Sequence, residues 1–203
     1  MSCPLLLATR NAYKKRLFAP LLAEYGLECV TLTDVGLNGL TLNEDGQTPE
    51  ENALLKARTF HSPRWPLVFG DDAGLEIDAL GGEPGLQVRR WNGLFPDDVD
   101  DQTWLTFLLQ RLEGVPPERR TARYVAAWAI LTPDGGEYVR RFYRPIQIAE
   151  RPIRPIEPGS PMSAVEIPHH ITIEHVRAAI AVEWQQWGIG AVLEWARIEL
   201  ETC

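Results

Sequence analysis

The sequence predicts an α/β protein, and three stretches carry that expectation. Residues Pro4 to Ala8 are a short apolar run, followed by a turn at Thr9 to Asn11, a helix from Ala12 to about Tyr25 and a second strand over Glu28 to Thr31. Strand, helix and strand at this spacing form a unit of about the length that a crossover needs. A capped helix over Pro49 to Phe60 then precedes a buried strand at Leu67 to Phe69. Finally, Thr121 to Leu131 and Tyr138 to Ile148 flank the turn Pro133-Asp134-Gly135-Gly136, which predicts a hairpin.

Each element has a local reason. Leu17, Leu21 and Tyr25 give the first helix an apolar stripe at four-residue spacing. Thr48 as N-cap, Pro49 at the first helical position and Glu51 three residues after the cap form a capping box for the second. The Leu67 to Phe69 strand ends in Gly70-Asp71-Asp72, and Asp72 to Leu80 alternates polar and apolar residues, which places Asp72, Glu76 and Asp78 on one face. A helix is expected at Asp101 to Leu112. Arg151 to Pro168, rich in proline, reads as an irregular connection near the ligand. Thr172 to Trp187 and Ala191 to Glu201 read as two closing helices, and no internal repeat is present.

Composition narrows the function classes. A length of 203 residues fits one compact domain, or two lobes around a shared sheet, and 45% hydrophobic residues support a real core. The formal net charge of -8 argues against a partner made of long nucleic acid, which demands a dense positive surface. Acidity instead favours a divalent cation with a small phosphorylated ligand. Cys3, Cys29 and Cys203 are far apart and lack paired ligand spacing, so neither a disulfide framework nor a zinc site is indicated. The first apolar run is too short for a signal-peptide core and no stretch reaches membrane-spanning length, so the expected location is the cytoplasm.

Four segments of the first half are candidates for chemistry. In ATRNAYKK, Ala8 to Lys15, a strand end feeds a helix start bearing Thr9, Asn11 and Lys14, a place where backbone N–H groups suit phosphate; a solvated basic helical turn reads the same way. In NEDGQTPEENALLKAR, Asn43 to Arg58, Glu44 precedes the capped helix, and Asn52 and Lys56 lie four apart. Glu44 as a metal ligand with Lys56 at phosphate, or a cap followed by a plain polar face, fit that spacing equally. In VFGDDAGLEIDALGG, Val68 to Gly82, two adjacent carboxylates follow a strand. Their repulsion, if buried, makes one a candidate general base unless a cation or metal offsets it. In GGEPGLQVRRWNG, Gly81 to Gly93, an arginine can clamp phosphate, while Trp91 reads as core packing.

Together, in this order and spacing over about the first 95 residues, these segments resemble the inosine triphosphate pyrophosphatase family, which hydrolyses inosine and xanthosine triphosphates to monophosphate and pyrophosphate. The resemblance implies a long twisted mixed sheet flanked by helices, with two lobes and a cleft between them in a single pyrophosphatase-like domain. It implies that Thr9, Arg10, Asn11, Lys14, Lys56, Ala73 and Arg90 line the substrate site. Glu44 and Asp72 would bind Mg²⁺, Asp72 would accept the proton, and Asp71 would support it.

A homodimer is implied as well, with seven tryptophans as a source of apolar interface. The chain departs from the family at Arg10, Tyr13, Ala73 and Val88-Arg89. It lacks the FGYDP-like segment, in whose place Pro158 to Pro168 falls, and the late lysine with Ser-His-Arg, for which Glu174-His175-Val176-Arg177 is the nearest substitute. Arg140, Arg141, Arg144, Arg151 and Arg154 are candidates for the missing cations. Two other functions stay open: a nucleotide-binding module without catalysis, and a pyrophosphatase acting on another phosphorylated metabolite.

Overall fold

The computed structural model describes residues 4–37, 39–40, 44–167 and 172–202; Cys3, Asn43, Pro168 and Cys203 lie outside them. The chain divides into two compact units. Met1–Asp72, Ala127–Phe142 and Thr172–Cys203 form the first, and Ala73–Ala126 with Tyr143–Ile171 form the second. The architecture is a mixed sheet flanked by helices, as expected.

In the first unit, β1 (Pro4–Leu7) pairs in parallel with β2 (Glu28–Thr31), in register from Pro4 opposite Glu28 to Leu7 opposite Thr31. On its other side β1 pairs in parallel with β3 (Val68–Ile77), Leu6 opposite Val68. The order continues to β5 (Thr121–Leu131) and β6 (Glu137–Ile148). Alternation along the strands separates two cores. Leu5, Leu7 and Phe69 face Leu17, Phe18 and Leu21 of α1 (Ala12–Ala23), together with Trp184 and Leu193. Leu6, Ala8 and Val68 face Ala53, Ala57 and Phe60 of α2 (Pro49–Phe60). Trp184 belongs to α4 (Ile173–Trp187), and Leu193 to α5 (Ile189–Thr202).

Several boundaries differ from the sequence expectation. The first helix ends at Ala23, not Tyr25, because the chain turns into Gly26 at φ 73°. The capping box at α2 is split: Thr48 Oγ1 accepts from the Glu51 amide at 3.2 Å, but Glu51 Oε2 accepts from Gln47, one residue before the cap, at 2.6 Å. The last helix starts at Ile189, since Gly188 at φ 74° closes α4 and turns the chain in a single residue.

Strand β3 runs unbroken through Gly70-Asp71-Asp72, which low strand propensity had placed at its end. It stops at Ile77. Asp78 therefore leaves the alternation with Asp72 and Glu76, opens a single 3-10 turn and accepts from Thr121 Oγ1 at 2.5 Å.

The second unit contains the rest of β3, β5 and β6, with two short antiparallel additions. They are β4 (Pro84–Gly85) on β3, and β7 (Glu166–Ile167) on β6 with Ile148 opposite Glu166. Its core joins Leu75, Ile77 and Ile148 to Trp104, Leu105 and Leu108 of α3 (Asp101–Arg111). The proline-rich connection is not irregular throughout. A 3-10 turn at Pro161–Ala164 and β7 lie within it, and Met162, Ala164 and Val165 are buried. Two strand residues are too few to give a period in sequence.

Trp91 packs as expected, at 5.3 Å from Trp104 and edge-on to Phe107 at 5.0 Å. It does so at φ 43°, a conformation costing roughly 1–2 kcal/mol for such a side chain. Its burial offsets that cost.

One contact ties the chain's two ends together. Pro20 lies inside α1 and has no N–H, so the Arg16 carbonyl loses its helical partner. Arg177 of α4 supplies the replacement, donating through Nη2 to Arg16 O at 2.9 Å and through Nε to Leu17 O at 3.4 Å. His175 accepts from the Thr172 amide at 3.3 Å and caps α4. The Glu174-His175-Val176-Arg177 segment is thus structural on two counts.

We expect Arg177→Ala to cost about 1 kcal/mol in wild type and clearly less beside Pro20→Ala, which restores the missing donor. Urea unfolding of the four proteins in that cycle checks this; purely additive losses would refute it.

Candidate active site

The site is built where α1 and α2 pack on opposite faces of β3. Successive strand residues point to opposite faces, so Gly70 and Asp72 look toward α2 while Asp71 looks toward α1. Gly70 sets the distance on the α2 side. A Cβ there would lie 2.0 Å from the Ala53 carbonyl oxygen and 3.2 Å from the Ala57 Cβ, so only a hydrogen lets the helix backbone come this close.

That approach delivers Asn52 and Lys56, one helical turn apart and both buried, to Asp72. Lys56 Nζ donates to Asp72 Oδ1 at 2.6 Å and to the Asp71 carbonyl at 3.1 Å, and stands 3.2 Å from Glu44 Oε1. Glu44 and Asp72 thus converge on one point. Burial alone would lower the pKa of this lysine, but Asp72 and Glu44 outweigh it and hold the ammonium above its ordinary value. Lys56 is therefore charged at neutral pH.

On the opposite face Lys14 of α1 forms an ion pair with Asp71 Oδ1, and its Nζ is 3.5 Å from the Asp71 carbonyl. The two adjacent aspartates, both buried, do not share one pocket. Each has its own lysine, so the cation offset left open by the sequence is what the structure adopts.

At the amino end of α1, Asn11 caps the helix by accepting from the Tyr13 amide at 2.8 Å, and Thr9 Oγ1 accepts from the Asn11 amide at 3.2 Å. Arg10 is exposed and donates to the Leu40 carbonyl. Thr9, Arg10, Asn11, Lys14, Glu44, Lys56, Asp71 and Asp72 all belong to the first unit. Ala73 and Arg90 belong to the second, where Arg90 pairs with Asp97, 3.1 Å from Nη2 to Oδ2.

Of the candidate replacement cations, Arg141 pairs with Glu50, and Arg144 pairs with the buried Glu166 while lying 4.6 Å over the Tyr124 ring. Arg154 donates to the Glu166 carbonyl at 2.5 Å. Arg140 and Arg151 are exposed. Of the seven tryptophans, Trp91, Trp104, Trp128 and Trp184 are buried in the cores, and Trp65, Trp187 and Trp195 are partly buried against them.

Asn52, which spacing paired with Lys56 without giving it a role, bridges two parts of the site. Its Oδ1 accepts from the Gly46 amide at 2.9 Å and its Nδ2 donates to Asp72 Oδ2 at 3.3 Å, so one amide fixes both the Glu44 loop and the Asp72 carboxylate. A polar residue four before Lys56, on the face that carries Ala53 and Ala57, was the available signal.

The donor set fits a hard divalent cation. Two carboxylates from separate segments, Glu44 and Asp72, meet at the Lys56 ammonium, and Mg²⁺ is commonly held by one or two carboxylates with phosphate oxygens and water completing the shell. Among the described residues no group of three or more His, Cys, Asp or Glu forms a cage for a metal held by protein alone. Among the same residues no helix is long and apolar enough to cross a membrane. Cys29, the cysteine within them, is a free thiol pushed up to about 11 by burial.

The model of the Ham1 family matches residues 5–143 of this sequence. The chain belongs to the Ham1 family. Among its relatives, the dITP/XTP pyrophosphatase of Symbiobacterium thermophilum is 41% identical over 148 residues, 73% of this chain and 71% of the relative. The enzyme of the same name from Nitratidesulfovibrio vulgaris is 43% identical over 134 residues, 64% of each chain.

The crystal structure of a nucleoside-triphosphatase, dITP/XTP pyrophosphatase, from Mycobacterium abscessus superposes with a TM-score of 0.62 at 32% identity, over 94% of this chain and 99% of that one. A HAM1 protein from Coxiella burnetii gives 0.69 at 22% identity, over 97% and 100% of the two chains, and speaks for the fold alone. The resemblance drawn from the first 95 residues is borne out. The Ham1-family match ends at residue 143, before the stretch where the FGYDP-like segment is replaced.

Two predictions follow from this geometry. Gly70→Ala is expected to destabilise the protein by about 3 kcal/mol, because backbone and not a flexible side chain must yield; a loss under about 1 kcal/mol in urea unfolding would show that α2 is free to shift.

The second concerns Asp34 after β2. Lys15 at 2.7 Å, then the Thr31 hydroxyl at 2.7 Å and its amide at 2.8 Å, lower its carboxyl to about 2. Because the folded value is depressed, the stabilisation is full above the ordinary carboxyl range and disappears as pH falls toward 2. The stability gap between wild type and Asp34→Asn should be constant from about pH 7 to 5 and then narrow on acidification; a gap independent of pH would contradict the assignment.

Proposed function

We propose that this chain hydrolyses a nucleoside triphosphate, of the inosine or xanthosine type, to monophosphate and pyrophosphate with Mg²⁺ as cofactor. The observation that carries the reading is the meeting of Glu44 and Asp72 at one cationic point, beside Lys14 and the amino end of α1. The names of the relatives at 41% and 43% identity support the same chemistry.

In this reading Glu44 and Asp72 hold the cation, which when bound supplies Lewis-acid stabilisation of the phosphate oxygens. Lys14 and Lys56 add positive charge along the phosphate chain, where pre-placed charge is worth most. Thr9 and Asn11 shape the backbone at the helix start, where N–H groups suit an anion.

Asp72 takes the proton of the attacking water as its oxygen bonds to phosphorus and the α–β phosphoanhydride breaks, releasing pyrophosphate. Asn52 orients Asp72 for this from Oδ2. Asp71 does not touch the proton path in this scheme. It anchors Lys14 through its side chain and Lys56 through its carbonyl, which gives content to its supporting role. Arg90 and Ala73 as substrate contacts, a homodimer and a cytoplasmic location rest on the family resemblance.

Asp72→Asn, which keeps the shape and removes the base, should lower pyrophosphate release by about 100-fold or more with inosine, xanthosine and deoxyinosine triphosphates. Near wild-type turnover would end the mechanism. Calorimetry with the same nucleotides separates the rival: binding by wild type without any pyrophosphate release means a module that has lost catalysis.

A further inference from the structure

We propose that Lys56 is the resident counter-ion of the Glu44–Asp72 site and gives way to the divalent cation only when a phosphate chain is present to receive it. The inference rests on the metal site proposed above and concerns the order in which its ligands can assemble.

Three observations lead to it. The Lys56 ammonium stands within 3.2 Å of both carboxylates that would ligate the cation, so it occupies the point on which a metal would be centred. It is buried, and its remaining contact is the Asp71 carbonyl, so the protein offers it little else once the two carboxylates are taken. Glu44 is the more exposed partner, with 37% of its side chain accessible, while Asp72 is held from its far oxygen by Asn52, so the Asp72 carboxylate keeps an anchor when the ammonium moves.

The electrostatics follow directly. A unit charge left beside a divalent cation in a buried setting is strongly repelled, since water no longer screens it. Lysine is a point charge on a flexible stem, suited to shifting between acceptors, and its ammonium needs oxygen atoms to donate to. A triphosphate brings those oxygens into the same space as the metal. Cation and nucleotide therefore bind with positive coupling, each tightening the other by the same factor, while the free protein holds a divalent cation weakly despite its two converging carboxylates. Lys14 reaches the same Asp71 carbonyl from the other face of β3, so its charge is also felt at the site, whereas Lys15 is paired with Asp34 after β2.

Mn²⁺ serves as the probe, followed by the loss of its free-ion signal in electron paramagnetic resonance, in the full chain without nucleotide. Lys56→Met should bind Mn²⁺ at least tenfold more tightly than wild type, and Lys15→Met, which removes an ammonium paired with Asp34 outside the site, should change it by less than threefold. A non-hydrolysable triphosphate should tighten Mn²⁺ binding at least tenfold in wild type and much less in Lys56→Met. Because loss of a buried ammonium can unfold the protein, Lys56→Gln, which keeps donors and drops the charge, is measured alongside with circular dichroism as a check on folding.

Equal Mn²⁺ affinity in wild type and a folded Lys56 variant, with binding still lost in Asp72→Asn, would overturn the exchange and leave the metal site standing. Mn²⁺ binding indifferent to Asp72→Asn, with or without nucleotide, would overturn the metal site and the exchange with it.

Discussion

The absence of a side chain at Gly70 is the constraint on which the site depends. It allows the backbone of α2 at Ala53 to press against β3. Everything polar on that face follows from the approach: Asn52 and Lys56 would hang short of Asp72 if the helix stood off by the width of a methyl group. Ala53 and Ala57 are small for the same reason, and both are fully buried. The helix has a conspicuously modest apolar stripe for a buried element because two of its inward positions carry amide and ammonium instead. Packing and polar chemistry are thus settled by one close contact.

The second organising principle is charge balance across a thin strand. Two buried carboxylates in adjacent positions would be costly in one pocket. The pleat sends them to opposite faces, and each face provides one lysine from its own helix. The Asp71 carbonyl, within reach of both ammonium groups, links the two halves. Among the described residues the chain's three lysines thus all stand on carboxylates of the first unit, Lys15 doing so with Asp34.

Much of this was legible in the sequence, for identifiable reasons. Capping signals placed α2 to the residue, since Thr48 and Pro49 act locally. The convergence of Glu44 and Asp72 was legible from the order of four motifs. What the sequence hid were features that exist only after packing. The extent of β3 through Gly70-Asp71-Asp72 runs against local propensity, and tertiary contacts prevail there. The cation at the meeting point is the protein's own Lys56, which spacing left undecided between polar face and ligand contact. Glu166, held by Arg144 and Tyr124 on a two-residue strand, was beyond any periodicity. Arg177 looked like surface because the vacancy it fills is caused by a proline more than 150 residues earlier in the chain.

That last bond has a wider meaning for how the molecule opens. Helix α1 carries the residues proposed to face phosphate at its start and a gap in its own hydrogen-bond ladder at Arg16, midway along it, and the gap is closed from a helix at the far end of the sequence. Fraying of α4 therefore withdraws the Arg177 donor from carbonyls in the middle of α1, which couples the start of α4 to the ladder of α1. Position 177 is consequently less free to vary than an ordinary surface site: with Pro20 in α1, the Arg16 carbonyl takes a donor from there.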